Sequence, residues 1–421
     1  MTVILSSGYG RLHLAQSAEW LGRAGVWIGL VCGWVPKNPD SWLVRLCSKF
    51  VGRNLSAGMK KRAVKLENCG EILPCMWADF LCQGLFRVER ILFGGRFHDR
   101  VATFAWAVFG WHTKSYLRKY AKRAGAIFHV RSGAGHGGAI RFAKRIGIPV
   151  IVDHSIAHPA FMERHLREEY LKNGAIFDMG VSSMFWRMIV EDCDMADELL
   201  VNSYFVRETF IEQGYPPEKI KVVYLGTRAD FFGLRKRKAA EDGIIKLLFT
   251  GGFGFRKGGE YILEAAKILN EKSPIPFVMD VVGDYSGAKD LILRYAKYKL
   301  PITFHGPVPQ DDLKDFLSSS DIYVFPSLAE GCACSGMEAM AAGLCVVGTH
   351  ESGFPIVNGK NGVVVPSKNA DAVVAAILKL MKCPSEIDRM GKAAAELIKT
   401  KYTWGQYAEN VKRIYAEMLN K

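Results

Sequence analysis

The stretch that most constrains this chain of 421 residues runs from Ile302 to Thr349, ITFHGPVPQDDLKDFLSSSDIYVFPSLAEGCACSGMEAMAAGLCVVGT. Two short apolar runs within it, Asp321–Pro326 and Leu344–Gly348, have the Val, Ile, Tyr and Phe content of buried strands. Between them Ser335–Ala342, full of Ala and Met, reads as a helix. Strand, Gly-bearing loop, helix and strand in that order make a βαβ unit. Its loop carries Glu330 and its helix carries Glu338, and the small residues Gly331, Ala333, Ser335 and Gly336 fill the turn where the helix begins. A helix N-terminus of this kind presents free backbone N–H groups and the positive end of the dipole, so it can hold a phosphate.

The same alternation opens the chain. Thr2–Ser6 reads as a strand, Leu12–Ala24 as a helix and Trp27–Cys32 as a second strand, the start of a doubly wound α/β domain. The first loop holds Gly8 and Gly10, but His13 stands where a dinucleotide fingerprint needs its third glycine, and no acidic residue closes the second strand. Further strands are predicted over Ala126–Val130, Pro149–Ser155, Ala196–Ser203, Lys246–Thr250, Phe277–Asp284 and Ile302–Gly306, with a helix over Tyr204–Gln213. The strand Pro149–Ser155 ends in Asp153-His154-Ser155 and leads on to His158. Open α/β sheets bind their ligands at such strand ends, so His154 and His158 are both candidates and the sequence does not choose between them. Lys246–Thr250 feeds Gly251-Gly252, and Arg256-Lys257-Gly258 leads into an amphipathic helix. The glycines allow close backbone approach, and the two cations can neutralise a diphosphate. Asp192-Cys193-Asp194 lies in a helix-like run and not after a strand, so it reads as a solvated helix face, not a metal-binding DxD. Arg235-Lys236-Arg237-Lys238 reads as an exposed linker.

Charge is unevenly placed. Residues 1–150 hold 23 Lys and Arg against 7 Asp and Glu, although the whole chain carries only +14. A basic face of this kind serves nucleic acid, an anionic membrane or an acidic glycan, and no nucleic-acid-binding motif is present to support the first. The stretch from Pro36 to Arg123 is the least legible. Its apolar run Val101–Trp111 is about half the roughly 20 residues needed to span a bilayer. It is either a buried helix with a solvated basic edge or a helix lying in a membrane interface. The ten cysteines include no CxxC pair, and the N-terminus reads as a strand and not as a signal peptide. Free thiols in a reducing cytosol are the expected state.

A Glu, seven residues and then Glu-Ala-Met-Ala-x-Gly, after a strand ending in Pro-Ser, resembles the donor-site signature of the retaining GT-B glycosyltransferases of the GT4 type. The resemblance is specific from about Asp194 to Lys421, general over 1–7 and 126–158, and absent between. It implies a GT-B fold, two doubly wound Rossmann-like domains facing a cleft: an acceptor-side domain over 1–232, a nucleotide-sugar domain over 233–402, and a final helix, 403–421, packing back on the first. It implies sugar transfer from a nucleotide diphosphate to an acceptor hydroxyl with retention and no required metal. Glu330 would lie under the transferred sugar, Glu338 on the ribose, His154 or His158 across the cleft, and Gly251, Gly252, Arg256, Lys257, Ser335 and Gly336 around the phosphates. Gly8 and Gly10 would face the acceptor. The family usually has Gly-Arg where this chain has Gly251-Gly252, so Arg256 is the candidate replacement for the missing cation. The expected acceptor is a glycan or lipid-linked glycan of cell-surface polysaccharide or glycolipid synthesis, reached in the cytoplasm by a protein seated peripherally on an anionic membrane. A GT-B epimerase of nucleotide sugars and a non-catalytic sugar-nucleotide binder are the alternative readings.

Overall fold

The computed structural model describes residues 1–9, 12–34, 69–121, 123 and 125–421, with a few isolated positions between 42 and 66. Two all-parallel sheets organise the chain. The first has the order β3-β2-β1-β4-β5-β6-β7, with β1 Thr2–Ser6, β2 Trp27–Cys32, β3 Gly70–Pro74, β4 Ala126–Arg131, β5 Val150–His154, β6 Glu198–Val201 and β7 Ile220–Val222. The second has the order β10-β9-β8-β11-β12-β13, with β8 Ile245–Thr250, β9 Phe277–Val282, β10 Ile302–Gly306, β11 Ile322–Phe325, β12 Cys345–Thr349 and β13 Val363–Val365.

Parallel strands need both faces covered, and the side-chain period of two supplies both faces. Val3 and Leu5 of β1, with Ile28 and Leu30 of β2, enter one core. Ile4 and Val31, with Phe128 and Val130 of β4, enter the core on the other face. The first of these cores is closed by the last helix, Trp404–Leu419, through Tyr407, Ala408, Val411 and Tyr415. Its entry is set by a capping box between Thr403 and Gln406. Ser17 donates to the Tyr407 hydroxyl at 3.0 Å, and Lys412 donates to the Ala24 carbonyl at 2.7 Å. The chain thus leaves the first sheet after β7 and comes back beside itself, with Thr227 N–H donating to Tyr402 O at 2.8 Å.

Each sheet reverses its strand order once, between β1 and β4 and between β8 and β11. A crevice opens at that reversal, outside the carboxyl ends of the strands, and ligands of doubly wound sheets bind there. In the second sheet it sets the Gly251–Lys257 loop after β8 beside the Glu330 loop after β11.

Two expectations are corrected. Arg235 and Arg237 are not in an exposed linker: they are 6% and 13% exposed and reach the fully buried Asp321 at 3.0 and 3.1 Å. Asp321 immediately precedes β11, where its other carboxylate oxygen accepts from Lys246 N–H at 3.0 Å, and a buried carboxylate requires such partners. The illegible stretch contains a strand, β3, and two long helices, Met76–Phe93 and His98–Tyr120. The apolar run Val101–Trp111 lies in the second helix and turns Ala102, Ala105, Phe109 and Gly110 inward. Among the described residues no helix is long and apolar enough to cross a membrane.

Gly226 is the tight point of the crossing between domains. A Cβ there would lie 2.3 Å from Trp404 N and 2.4 Å from its Cα. Gly226→Ala is expected to lose about 1–3 kcal/mol through this backbone clash, read as a fall in Tm by thermal denaturation against wild type.

Candidate functional site

The loop after β8 begins with Gly251, whose φ of +121° suits a glycine. A Cβ there would lie 2.9 Å from Lys257 Nζ. The loop is laced to the segment after β11: Leu328 N–H donates to Arg256 O at 2.8 Å, and the Arg256 guanidinium donates to Ala329 O at 2.9 Å. These bonds bring Arg256 to 2.5 Å and Lys257 to 3.6 Å from the same Glu330 oxygen, Oε1. Glu330 is 9% exposed. Two cations face one carboxylate, so the cluster carries a net positive charge and can take up an anion. Gly252 meets nothing nearer than Asp284 O, 3.9 Å from where its Cβ would lie, so the position of the missing arginine is open space.

Glu330 also sits at the seam between the two domains. A Cβ on the next residue, Gly331, would lie 2.0 Å from Ser155 O and 2.7 Å from the Asn202 amide. Ser203 Oγ donates to Gly331 O at 2.5 Å while accepting from Val206 N–H to cap the helix Tyr204–Ile211. The end of β5 and the end of β6 therefore press directly on the Glu330 loop.

The helix Cys334–Ala342 carries the second carboxylate. Gly336 lets it lie against Phe354, since a Cβ would enter that ring at 2.0 Å. Ser335 is positioned by the Tyr323 hydroxyl, which donates to its Oγ at 2.9 Å. Glu338 lines a cavity of 180 Å³ between the domains, together with Gln16, Arg228, Gln310 and Trp404. Burial raises its carboxyl to about 7, with Arg228 opposing the rise and Asp230 adding to it. Arg228 is held by Asp230 at 2.6 Å.

On the opposite wall the two candidate histidines separate. His154, at the end of β5, has Nδ1 on Ser132 Oγ at 2.9 Å, and His158 Nδ1 accepts from Ala160 N–H at 3.1 Å as the cap of the helix Pro159–Lys172. Burial lowers His154 to about 3 and His158 to about 4, so both rings are neutral at physiological pH. The structure brings neither against Glu330 directly; Ser155, which follows His154, is what meets the Glu330 loop. Gly8, with φ +70°, lies under Trp106, whose ring a Cβ would enter at 2.1 Å. Its lack of a side chain lets the helix His98–Tyr120 close on the sheet. Gly10 lies outside the described residues.

Three features escaped the sequence. His13 Nε2 lies 2.9 Å from Asp153 Oδ1, and His129 Nε2 lies 3.6 Å from Oδ2. Burial pushes the Asp153 carboxyl up, yet these two rings hold it well below the ordinary range. Arg228, paired with Asp230 beside Glu338, had no signal of its own. Asp192 is not solvated: it is fully buried, and its Oδ2 accepts from Gly133 and Gly135 N–H at 2.7 and 2.9 Å. The helix placement stands, but the Gly-rich loop after β4 needs an acceptor and Asp192 supplies it. Among the described residues no three His, Cys, Asp or Glu side chains group to hold a metal ion.

Residues 231–397 match the family model of the glycosyl transferases group 1. The amylovoran biosynthesis glycosyltransferase AmsK of Erwinia amylovora is 28% identical over 229 residues, 51% of this chain and 56% of that protein. A D-inositol 3-phosphate glycosyltransferase of Streptomyces bingchenggensis (strain BCW-1) is 26% identical over 271 residues, 59% of each. The chain thus spans little more than half the length of these curated relatives. Two solved structures match almost throughout: the sucrose-phosphate synthase of Thermosynechococcus elongatus, with TM-score 0.68 and 15% identity over 100% of this chain and 99% of that one, and Anabaena HepE in complex with UDP-glucose, with TM-score 0.62 and 12% identity over 99% and 100%. At these identities the likeness shows the fold, two Rossmann-like domains of GT-B type.

Asp192 gives a pH test. Burial, partly offset by the two glycine N–H groups, raises its carboxyl from 3.8 to about 7. The native state therefore holds a proton that the unfolded state has lost, so this contribution to stability is full below about pH 4 and disappears as pH rises through about 7. Asp192→Asn keeps an acceptor for both N–H groups. Chemical denaturation from pH 5 to 8 should show wild type losing stability relative to the Asn variant.

Proposed function

We propose that this chain, a member of the group 1 glycosyltransferases through residues 231–397, moves a sugar from a nucleotide-diphosphate donor to an acceptor hydroxyl with retention of configuration. The observation that carries the reading is Glu330 held between Arg256 and Lys257 at the reversal of the second sheet. Departure of a nucleoside diphosphate leaves an oxocarbenium-like sugar and a growing negative charge on the phosphate. Arg256, Lys257 and the start of the helix Cys334–Ala342 meet that charge as it develops, so the diphosphate leaves onto protein cations with no metal called for. Glu330 then orients the sugar, and the departing phosphate takes the acceptor's proton. Glu338 receives the ribose hydroxyls in the cavity it shares with Gln16 and Arg228. His154 is assigned to the donor side because Ser155 meets the Glu330 loop, whereas His158 is committed to its helix cap.

The structural likeness to a protein captured with UDP-glucose supports a nucleotide-sugar donor, and the relative of amylovoran biosynthesis supports a polysaccharide or lipid-linked glycan acceptor. The reading puts the reaction in the cytoplasm, at the inner face of the membrane presenting that acceptor.

The test is nucleotide release from a panel of UDP-, GDP- and ADP-sugars, with and without a membrane lipid extract. One nucleotide should be released, with dependence on the extract, and Glu330→Gln should lower kcat about 100- to 1,000-fold. Release that ignores the extract while the donor sugar is epimerised would replace transfer by epimerisation. Nucleotide binding without turnover on any acceptor would leave a non-catalytic binder.

A second measurement addresses the absent arginine. Arg256→Ala should weaken donor binding about 10- to 100-fold, the range for a charge-assisted hydrogen bond, and Gly252→Arg in that background should restore part of it. Calorimetry across pH gives a third. Ribose hydroxyls donate to an ionised carboxylate, so the affinity for the nucleotide identified by the panel should rise with pH up to about 7 and level off above it. Glu338→Gln should flatten that profile.

A further inference from the structure

The helix Met76–Phe93 is inside out. Its buried positions are Ala78, Asp79, Cys82 and Glu89, so two carboxylates face the protein. Its outward positions are apolar: Trp77, Phe80 and Leu81, then Val88, Ile91 and Leu92, with Phe80, Leu92 and Ile91 exposed by 58, 67 and 72%. These recur at helical spacing and form one stripe along an element about 27 Å long. The inward acids are occupied: Asp79 accepts from Trp34 N–H at 2.8 Å, and Glu89 accepts from Phe97 N–H at 2.8 Å. Asp99, at the head of the next helix, accepts from Ser183, Met184 and Phe185. These are the only three acids between residues 76 and 120, against seven Lys and Arg. Arg87, Arg90, Arg96 and Arg100 are all exposed beside the stripe.

We infer that this helical hairpin is the seat of the protein on an anionic lipid bilayer, with Phe80, Ile91 and Leu92 in the acyl boundary and the four arginines at the phosphate level. An apolar stripe flanked by arginines, with every acid withdrawn, matches the layering of a lipid surface. A second copy of the chain would set these arginines against their own kind. No helix among the described residues spans a membrane, so the contact lies on the surface. The hairpin also reaches the cleft. Its second helix covers Gly8, and Tyr9 donates to Ala105 O at 2.5 Å, at the reversal of the first sheet. A bilayer held at Met76–Phe93 is therefore joined to the acceptor-side wall through the second helix of the hairpin. The inference rests on the lipid-linked acceptor proposed above for its purpose, but not for its test.

The test is co-sedimentation of the full chain with vesicles of phosphatidylglycerol and phosphatidylcholine, against phosphatidylcholine alone. Wild type should sediment with the anionic vesicles, and added salt should weaken the binding. Ile91→Asp with Leu92→Asp, both on the exposed face, should lower it about ten-fold or more, with unchanged circular dichroism and unchanged donor turnover on a detergent-dispersed acceptor. Arg87→Gln with Arg90→Gln should lower it and reduce its salt dependence. Failure of wild type to bind anionic vesicles at low salt would overturn the inference, as would equal binding by the Asp variant. A wild-type dimer in light scattering that the Asp variant abolishes would assign the face to a second copy instead. Vesicle binding that persists without any donor turnover would leave this surface standing and count against the transferase reading alone.

Discussion

A carboxylate held by two cations organises this molecule. Glu330 touches Arg256 and Lys257 at a point with little solvent, and an ion pair in such a place needs fixed geometry to offset its desolvation. The fixing comes from backbone. Arg256 O accepts from Leu328 N–H, the Arg256 side chain holds Ala329 O, and Glu330 N–H donates to Glu351 O at 2.9 Å. One cation is left in excess, so the cluster can take up an anion.

The same loop carries the contact between domains. Gly331 has no room for a side chain because Ser155 and Asn202 press on it, and Ser203 bonds its carbonyl while capping a helix of the first domain. Any shift of the first domain along this seam is felt one residue from the carboxylate. The cluster and the seam between the domains therefore share one loop, through a glycine and two strand ends.

The interior also uses carboxyl groups where a simpler design would use hydrocarbon. Asp321 is satisfied by Arg235 and Arg237, Asp192 by two glycine N–H groups and Asp153 by two histidines. Each sits at the start or end of a strand or under a loop, where backbone groups lack sheet partners. Buried carboxylates there hold irregular backbone in place. The helix Met76–Phe93 follows the opposite plan, with acids inward and aromatics outward, and so gains from a second, apolar phase.

The sequence by itself determined the alternation of strands and helices, the βαβ unit around Glu330 and Glu338, and the clustering of Gly, Arg and Lys after β8. These are local signals: apolar runs of strand length, glycines where φ turns positive, small residues where a helix begins. It also showed that positive charge gathers in the first third. What only the tertiary structure decided are relations between segments far apart. The basic run at Arg235–Lys238 looked solvated because its partner, Asp321, lies more than eighty residues away. Asp192 looked like surface because the loop it serves comes from another strand. His13 looked like a defect in a glycine motif until β5 brought Asp153 to it. The two helices between Met76 and Tyr120 stayed hidden for a related reason: with one helix inverted, their apolar residues fill both faces of the hairpin and erase the single stripe by which a packed helix is read. Burial and pairing across the chain belong to the fold, and no residue states them alone.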